Sequence, residues 1–360
     1  MNRRFIIASG GTGGHFYPGF ALGKKLREQG CAVLFIVRKN DPAAQILENN
    51  HLHYQEIDFT GLPRSVNPLR HLRFIIKFFK SLRQMRRVIR RFRPDVALGT
   101  GGYISFPVIF TAHFAGIKTA IHDSNAKLGL ANRICAKFAD LLMLGLPVEP
   151  PLKRAVLTST PIRREFAEPV DREALLSNLG LQPQRKTVLV VGGSQGAKNL
   201  NLAVVQAVKK LSGWQFIHIT GERWYKTVQE MYTPQDPVVV LPYSHEIYAL
   251  FKTVDLVVCR SGASTLSELI YCRLPAVLIP FPQAAANHQF YNAKILKDKG
   301  CALLVEDNAS LTEQLQQALK QVETPDIGQN LSNMQRAYER LDLPNPISAA
   351  KEIAQRLSSL

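Results

Sequence analysis

The sequence is short of the residues that would build a secreted scaffold, a metal site or a membrane span. Its five cysteines (Cys31, Cys135, Cys259, Cys272 and Cys301) are odd in number, widely spaced and mostly set in apolar runs. That excludes a disulfide framework and a cysteine-based zinc site, and it points to a reducing compartment. No Asp-x-Asp occurs, so the aspartate pair by which many glycosyltransferases hold a divalent ion on a diphosphate is missing; neither a metal nor a cofactor is expected. No apolar stretch reaches the ~18 residues that a spanning helix needs. Glycines interrupt the apolar start within a few residues, so no signal-peptide pattern opens the chain. Acids are also scarce, with 28 Asp and Glu against 45 Lys and Arg and a formal net charge of +17. Such a surface attracts polyanions: nucleic acid, anionic lipid or phosphorylated substrates.

What is abundant is glycine at the ends of short apolar runs. Phe5-Ile6-Ile7-Ala8 empties into Ser9-Gly10-Gly11-Thr12-Gly13-Gly14-His15. Pro18 and Gly30 suit the first turn and the end of a following helix, and Cys31 to Val37 reads as a second strand. Glycines there allow a tight strand-to-helix turn and let an anion or a sugar approach bare backbone N–H groups at the positive end of a helix. The same grammar returns at Pro94 to Tyr103, with a helix from about Phe106. Strands are also expected at Lys118 to Ile121, running into His122-Asp123-Ser124-Asn125, and at Asp140 to Leu146. The pattern restarts at Thr187 to Val191, which feeds Gly192-Gly193-Ser194-Gln195-Gly196-Ala197, and at Asp255 to Val258, which feeds Cys259 to Glu268. With 360 residues, two Rossmann-like domains are the expectation.

The charge has a focus. From Arg70 to Arg93 there are ten Lys or Arg and no acid. On a helical wheel Arg73, Lys77, Lys80, Arg87 and Arg91 share one face, and Ile75, Phe78, Leu82, Met85 and Ile89 lie opposite. Leu72, Ile76 and Phe79 sit beside the cations, a mixture suited to anionic headgroups, with Lys80 among the contacts. Nucleic acid is not expected, because no binding motif accompanies the charge.

Gly10 to His15, Gly99 to Tyr103, Gly192 to Ala197 and Arg260 to Glu268, in this order and spacing, closely resemble the MurG family, the peptidoglycan N-acetylglucosaminyltransferases. Pro280-Phe281, His288-Gln289 and Asn292-Ala293 extend the likeness over nearly the whole chain. The resemblance implies an α/β fold of the GT-B class, two doubly wound Rossmann-like domains facing a central cleft. Residues 1–160 would form the acceptor and membrane side and 161–340 the UDP-GlcNAc side, with a helix over 341–360 packing back toward the first domain. The implied reaction moves GlcNAc, with inversion, from UDP-GlcNAc to the MurNAc 4-hydroxyl of lipid I, undecaprenyl-pyrophosphoryl-MurNAc-pentapeptide. Anionic inner-leaflet phospholipids and other cell-wall enzymes would be partners, and the location would be peripheral, on the cytoplasmic face of the membrane.

The implied donor site comprises Thr12, Gly13, Gly14, Asn125, Arg163, Ser194, Gln195, Gly196, Arg260, Ala263, Ser264, Thr265, Leu266, Ser267, Glu268, Gln289 and Asn292. Ser194 and the amides of Gly193 to Ala197, at a helix start, are apt for diphosphate charge. By resemblance Glu268 would accept hydrogen bonds from both ribose hydroxyls, and Gln289, supported by Asn292, would read the sugar. Arg163 and Arg260 would add charge near the nucleotide. Gly102 and Tyr103 belong to the acceptor side. His15 is the expected general base, since an imidazole ordinarily titrates near neutrality, and Asp123 is the competing one.

The sequence departs from the family where His122-Asp123-Ser124-Asn125 replaces His-Glu-Gln-Asn, where Phe106 replaces a glycine and where Pro63-Arg64-Ser65 replaces Gly-Lys-Gly. These acceptor-side changes keep open a related enzyme acting on another lipid, such as diacylglycerol. An NADP-dependent oxidoreductase using Arg38 and Lys39 fits poorly, because Phe16 stands at the third glycine of Gly-x-Gly-x-x-Gly. A non-enzymatic membrane scaffold would need neither His15 nor Glu268.

Overall fold

Short, buried apolar strands that end in small or polar residues build both halves of the chain. The computed structural model describes residues 3–11, 13–61, 67–193 and 196–360. It divides into two units, Met1–Ile162 with Leu343–Leu360, and Arg163–Asp342.

In the first unit β1 (Arg4–Ala8), β2 (Ala32–Arg38), β3 (Tyr54–Ile57), β4 (Val96–Gly99), β5 (Lys118–Asp123), β6 (Leu141–Leu144) and β7 (Ala155–Leu157) form one parallel sheet in the order β3-β2-β1-β4-β5-β6-β7. The second holds β8 (Lys186–Val191), β9 (Trp214–Ile219), β10 (Val238–Leu241), β11 (Leu256–Cys259), β12 (Ala276–Leu278) and β13 (Ala302–Leu304), in the order β10-β9-β8-β11-β12-β13. The strand order reverses between β1 and β4 and again between β8 and β11. In open parallel sheets the crevice outside the carboxyl ends at such a reversal is where ligands bind. Register places the exits side by side: Ala8 pairs with Gly99, and Val191 with Cys259.

The helix Pro346–Ser358, capped by the Asn345 side chain, buries Ile353, Ala354 and Leu357 in the first unit's core beside Leu22 and Leu26 of the helix Gly13–Glu28. Burying those side chains removes apolar surface from water at roughly 25 cal/mol per Å². This ties the last residues of the chain to its first unit.

The helix Pro68–Phe92 starts on the Asn67 side chain, which accepts from Leu69 N, and stops at Arg93 in the left-handed conformation. Its buried face is Ser81, Met85 and Ile89, and Lys77 is paired with Asp58 at 2.9 Å. Ile75, assigned by the wheel to the buried side, is exposed together with Leu69, Leu72, Ile76 and Phe79. The face turned to solvent therefore mixes Leu69, Leu72, Ile75, Ile76 and Phe79 with Arg70, Arg73 and Lys80 over its first turns, and Arg83, Arg86, Arg87 and Arg90 continue it as a cationic stripe. Among the described residues no helix is long and apolar enough to cross a membrane.

Candidate active site

At the first reversal the loops after β1 and β4 close on each other through hydroxyls. Ser9 Oγ donates to the carbonyl of His15 at 3.1 Å, and Thr100 Oγ1 donates to the same carbonyl at 2.8 Å. The imidazole of His15 lies flat against the second loop, where a Cβ on Gly101 would fall 2.3 Å from Nδ1. Gly101, at φ +112°, and Gly102, at φ +73°, adopt backbone that glycine alone holds without strain. The Tyr103 ring covers Gly61, whose hypothetical Cβ would meet it at 2.3 Å, and remains half exposed. Gly102 thus lies beside His15, a Cβ there falling 3.8 Å from Cδ2, while Tyr103 packs on Gly61.

In the loop after β1, Asp41 Oδ2 accepts the Gly11 N–H at 2.8 Å, so that one amide is not free for an anion. Gly13 and Gly14 open the following helix; Thr12 lies outside the described residues, as do Pro63, Arg64 and Ser65. Asp123 is no free base either. It is 1 % exposed and accepts from Asn125 N at 3.0 Å, Asn125 Nδ2 at 3.4 Å, Gly129 N at 3.1 Å and Asn132 Nδ2 at 3.0 Å, so its lone pairs shape the loop after β5. Asn125, itself buried, belongs to that network. His122 is buried with Nε2 on the Ser159 carbonyl, and desolvation lowers its pKa. Burial pushes the thiols of Cys135 and Cys272 up to about 12, which leaves no thiolate for nucleophilic chemistry at either.

At the second reversal the loop after β8 runs through Gly193, at φ +94°, and Gly196, at φ +70°, whose hypothetical Cβ would strike the Thr220 carbonyl at 2.3 Å. Ser194 and Gln195 lie outside the described residues. The helix Lys198–Val208 follows, with Lys198 and Arg223 both over the Trp224 ring.

The loop after β11 opens the helix Ala263–Cys272, whose first amides have no partner within the helix. Ser264 Oγ is buried and finds no hydrogen-bond partner among the described residues. Leu266 and Ser267 point inward, the Ser267 hydroxyl being spent on the Ala263 carbonyl at 3.1 Å. One turn on, half-buried Glu268 accepts no hydrogen bond from the described residues. Desolvation pushes its carboxyl up to about 7, against the pull of nearby Arg163, whose guanidinium stacks on Phe166.

Gln289, on the helix His288–Asp298, accepts the Phe281 N–H on Oε1 at 2.9 Å, which fixes the amide and turns Nε2 outward as a donor. Asn292 is fully buried and donates to the Ser261 carbonyl at 3.1 Å, which supports the loop after β11. Arg260 likewise has its fork committed: Nη2 to Asp307 at 2.6 Å, Nη1 to the carbonyls of Ile279 at 3.1 Å and Pro280 at 3.4 Å. The charge expected of it near a nucleotide is already neutralised by Asp307. Among the described residues no group of three or more His, Cys, Asp or Glu is placed to hold a metal ion.

After the helix Ala263–Cys272 and just ahead of Gln289, the turn at Ala286 (φ +53°) and Asn287 (φ +56°) places two non-glycine residues in left-handed backbone. Ala286→Gly should raise the unfolding free energy by about 1 kcal/mol by relieving that conformation. Chemical denaturation checks it, and a destabilised variant would mean that the backbone there carries no strain.

On the outer surface of the first unit Phe114 is 69 % exposed at the end of the helix Ser105–Phe114, next to Phe110 at a ring separation of 4.7 Å. Phe110 and Phe106 meet Phe78 of the basic helix at 6.2 and 5.6 Å, so a ladder of rings joins Phe114 to the turns carrying Leu72, Ile76 and Phe79. The wheel weighs one helix at a time and sets Ile75 on the buried side; Phe114 and Leu69 lie outside the segment that it covers.

Two family profiles match the chain: the glycosyltransferase family 28 N-terminal domain over residues 5–143, and the family 28 C-terminal domain over residues 187–357. The chain is similar to the UDP-N-acetylglucosamine–N-acetylmuramyl-(pentapeptide) pyrophosphoryl-undecaprenol N-acetylglucosamine transferase of Elusimicrobium minutum, 49% identical over 99% of this chain and 100% of that protein. The protein of the same description from Desulforudis audaxviator is 36% identical over 99% of this chain and 98% of its own. Among solved structures, MurG of Acinetobacter baumannii superposes with a TM-score of 0.84 at 26% identity, covering 99% of this chain and 100% of that one. Doubly wound halves of the GT-B class, expected from the glycine loops, are what the two sheets form.

Proposed function

The chain belongs to glycosyltransferase family 28, and from that premise we propose that it moves GlcNAc from UDP-GlcNAc to the MurNAc 4-hydroxyl of lipid I, giving lipid II and UDP. The acceptor oxygen attacks C1 of GlcNAc as the bond from C1 to the diphosphate oxygen breaks. The hydroxyl proton passes to His15, and the electron pair leaves with UDP. The negative charge growing on UDP is met by backbone amides at the starts of the helices Lys198–Val208 and Ala263–Cys272, with Arg163 nearby. Glu268 takes the ribose hydroxyls, and the outward Nε2 of Gln289 donates to an oxygen of the sugar. The observation that carries this reading is the half-buried Glu268 carboxyl, free of donors among the described residues, one turn into a helix whose first amides are open.

Incubating the protein with UDP-GlcNAc and extracted lipid I, then weighing the product, tests it directly. A gain of one N-acetylhexosamine on lipid I is expected. An unchanged acceptor, or calorimetric binding of NADPH in place of UDP-GlcNAc, would overturn it.

A lipid-linked acceptor explains the outer face of the basic helix. Its exposed apolar side chains and Phe114 would enter the headgroup region of an anionic inner leaflet while Lys80 and the arginines meet phosphates, at ~1 kcal/mol for each cation near the surface. Phe114→Ser and Phe79→Ser should each weaken binding to anionic vesicles about tenfold, the loss of one buried aromatic, and leave UDP-GlcNAc affinity unchanged. Wild-type binding should also fall as salt rises. Vesicle binding indifferent to both substitutions would remove this face from the membrane.

A further inference from the structure

Arg260 and Asp307 raise a question that the donor site leaves unanswered. Their carboxylate–guanidinium contact is 2.6 Å, with side-chain exposures of 12% and 2%, and it joins residues 47 apart in the chain. A buried ion pair contributes little net stability compared with apolar residues of the same shape. What it does supply is geometry, because the guanidinium is a rigid planar fork.

The fork holds a specific stretch of backbone. Past the end of β12, Pro280 has no N–H, so this peptide cannot be secured from its amide side. Arg260 Nη1 secures it from the carbonyl side, at Ile279 and Pro280, and the guanidinium lies 5.6 Å from the centroid of the half-exposed Phe281 ring. The next amide, Phe281 N–H, is the one that fixes Oε1 of Gln289. On its far side Asp307 Oδ1 accepts from Asn199 Nδ2 at 3.0 Å, in the first turn of the helix that follows the glycine loop after β8. One carboxylate therefore ties the loops after β11, β12 and β13 to the start of that helix.

We propose that Asp307 is a positioning residue for the sugar half of the donor site: acting through Arg260 it sets the Ile279–Phe281 backbone, and this backbone aims the Gln289 amide. The inference rests on the donor-site reading given above for Gln289. It separates two functions within one unit. Helix amides hold the nucleotide, and the Asp307–Arg260–Phe281–Gln289 relay discriminates the sugar.

The test uses the full-length protein with two variants, Asp307→Asn and the double variant Asp307→Leu/Arg260→Met, which removes both charges together so that neither is left buried alone. Hydrogen exchange at the Phe281 amide should quicken in both. Calorimetry should show UDP-GlcNAc binding about tenfold weaker and UDP binding changed less than about twofold, as expected when one oriented polar contact to the sugar is lost. A double variant that melts like the wild type yet binds UDP-GlcNAc about tenfold more weakly supports positioning. One that melts like the wild type and binds UDP-GlcNAc normally overturns it, as does an equal loss for UDP and UDP-GlcNAc. Failure of the wild type to bind UDP-GlcNAc would instead remove the donor reading, while unchanged Phe281 exchange in both variants would overturn the relay itself.

Discussion

Glu268→Gln is expected to cost roughly 2 to 4 kcal/mol of UDP-GlcNAc binding, as the loss of a desolvated charge-assisted contact does, and at the same time to stabilise the protein above pH 7. The two effects share one cause. Desolvation raises the carboxyl from its ordinary value of 4.5 to about 7, against the pull of Arg163. Between those values the native state holds a proton that the unfolded chain has released, so stability falls as pH rises through the window and the full cost is reached above pH 7. Glutamine carries no such cost and should gain about 1 to 3 kcal/mol at pH 8. Ribose hydroxyls, however, need the ionised acceptor. Wild-type affinity should therefore be flat above pH 7 and fall toward tenfold per unit below it, with a proton released on binding, whereas the glutamine variant should be weak and independent of pH. Calorimetry in buffers of different ionisation enthalpy reads both quantities. A Glu268→Gln variant that binds UDP-GlcNAc as tightly as the wild type at pH 8 would take Glu268 out of the nucleotide site.

The split between what the residues announced and what only the coordinates reveal follows the range of the interactions involved. β1, β4, β8 and β11 were legible because each is a run of apolar side chains ending in glycine or a small polar residue, a local pattern that the sheet then buries. β9 does not follow that pattern: its sequence WQFIHI carries Gln215 and His218, which are buried only because distant groups satisfy them. Gln215 donates to Gln182 and Thr187, and His218 is hydrogen-bonded to Asn201 and Tyr232. The same limit governs the site. A carboxylate at position 123 and a guanidinium at 260 were visible as chemistry, but Asp123 is saturated by its own loop and Arg260 by Asp307. Residue type proposes a role; the partners decide whether lone pairs and N–H groups are left over for a ligand. On the basic helix, which face packs is settled by the neighbouring helix Ser105–Phe114, and this is why Ile75 faces outward.

His15→Ala should lower turnover by roughly 10² to 10⁴, the usual contribution of a positioned general base, while leaving UDP affinity nearly unchanged, since the groups proposed for the nucleotide belong to the other unit. Gly101→Ala should lose turnover to a comparable degree without touching the imidazole chemically. Its new methyl would fall 2.3 Å from Nδ1, at a backbone angle of φ +112° that alanine resists, so the ring must leave its place against the loop after β4. The carbonyl of His15 remains bonded to Ser9 and Thr100, so the displacement is confined to the side chain and to the glycine turn. The double variant discriminates the mechanism. If Gly101 matters because it seats the imidazole, adding Gly101→Ala to His15→Ala should cost little further turnover, because residues acting as one unit are not additive. Steady-state kinetics with both substrates saturating, paired with calorimetry for UDP, measures this. Losses that multiply would assign Gly101 an independent task at the acceptor, and near-normal turnover in His15→Ala would hand the proton to another group.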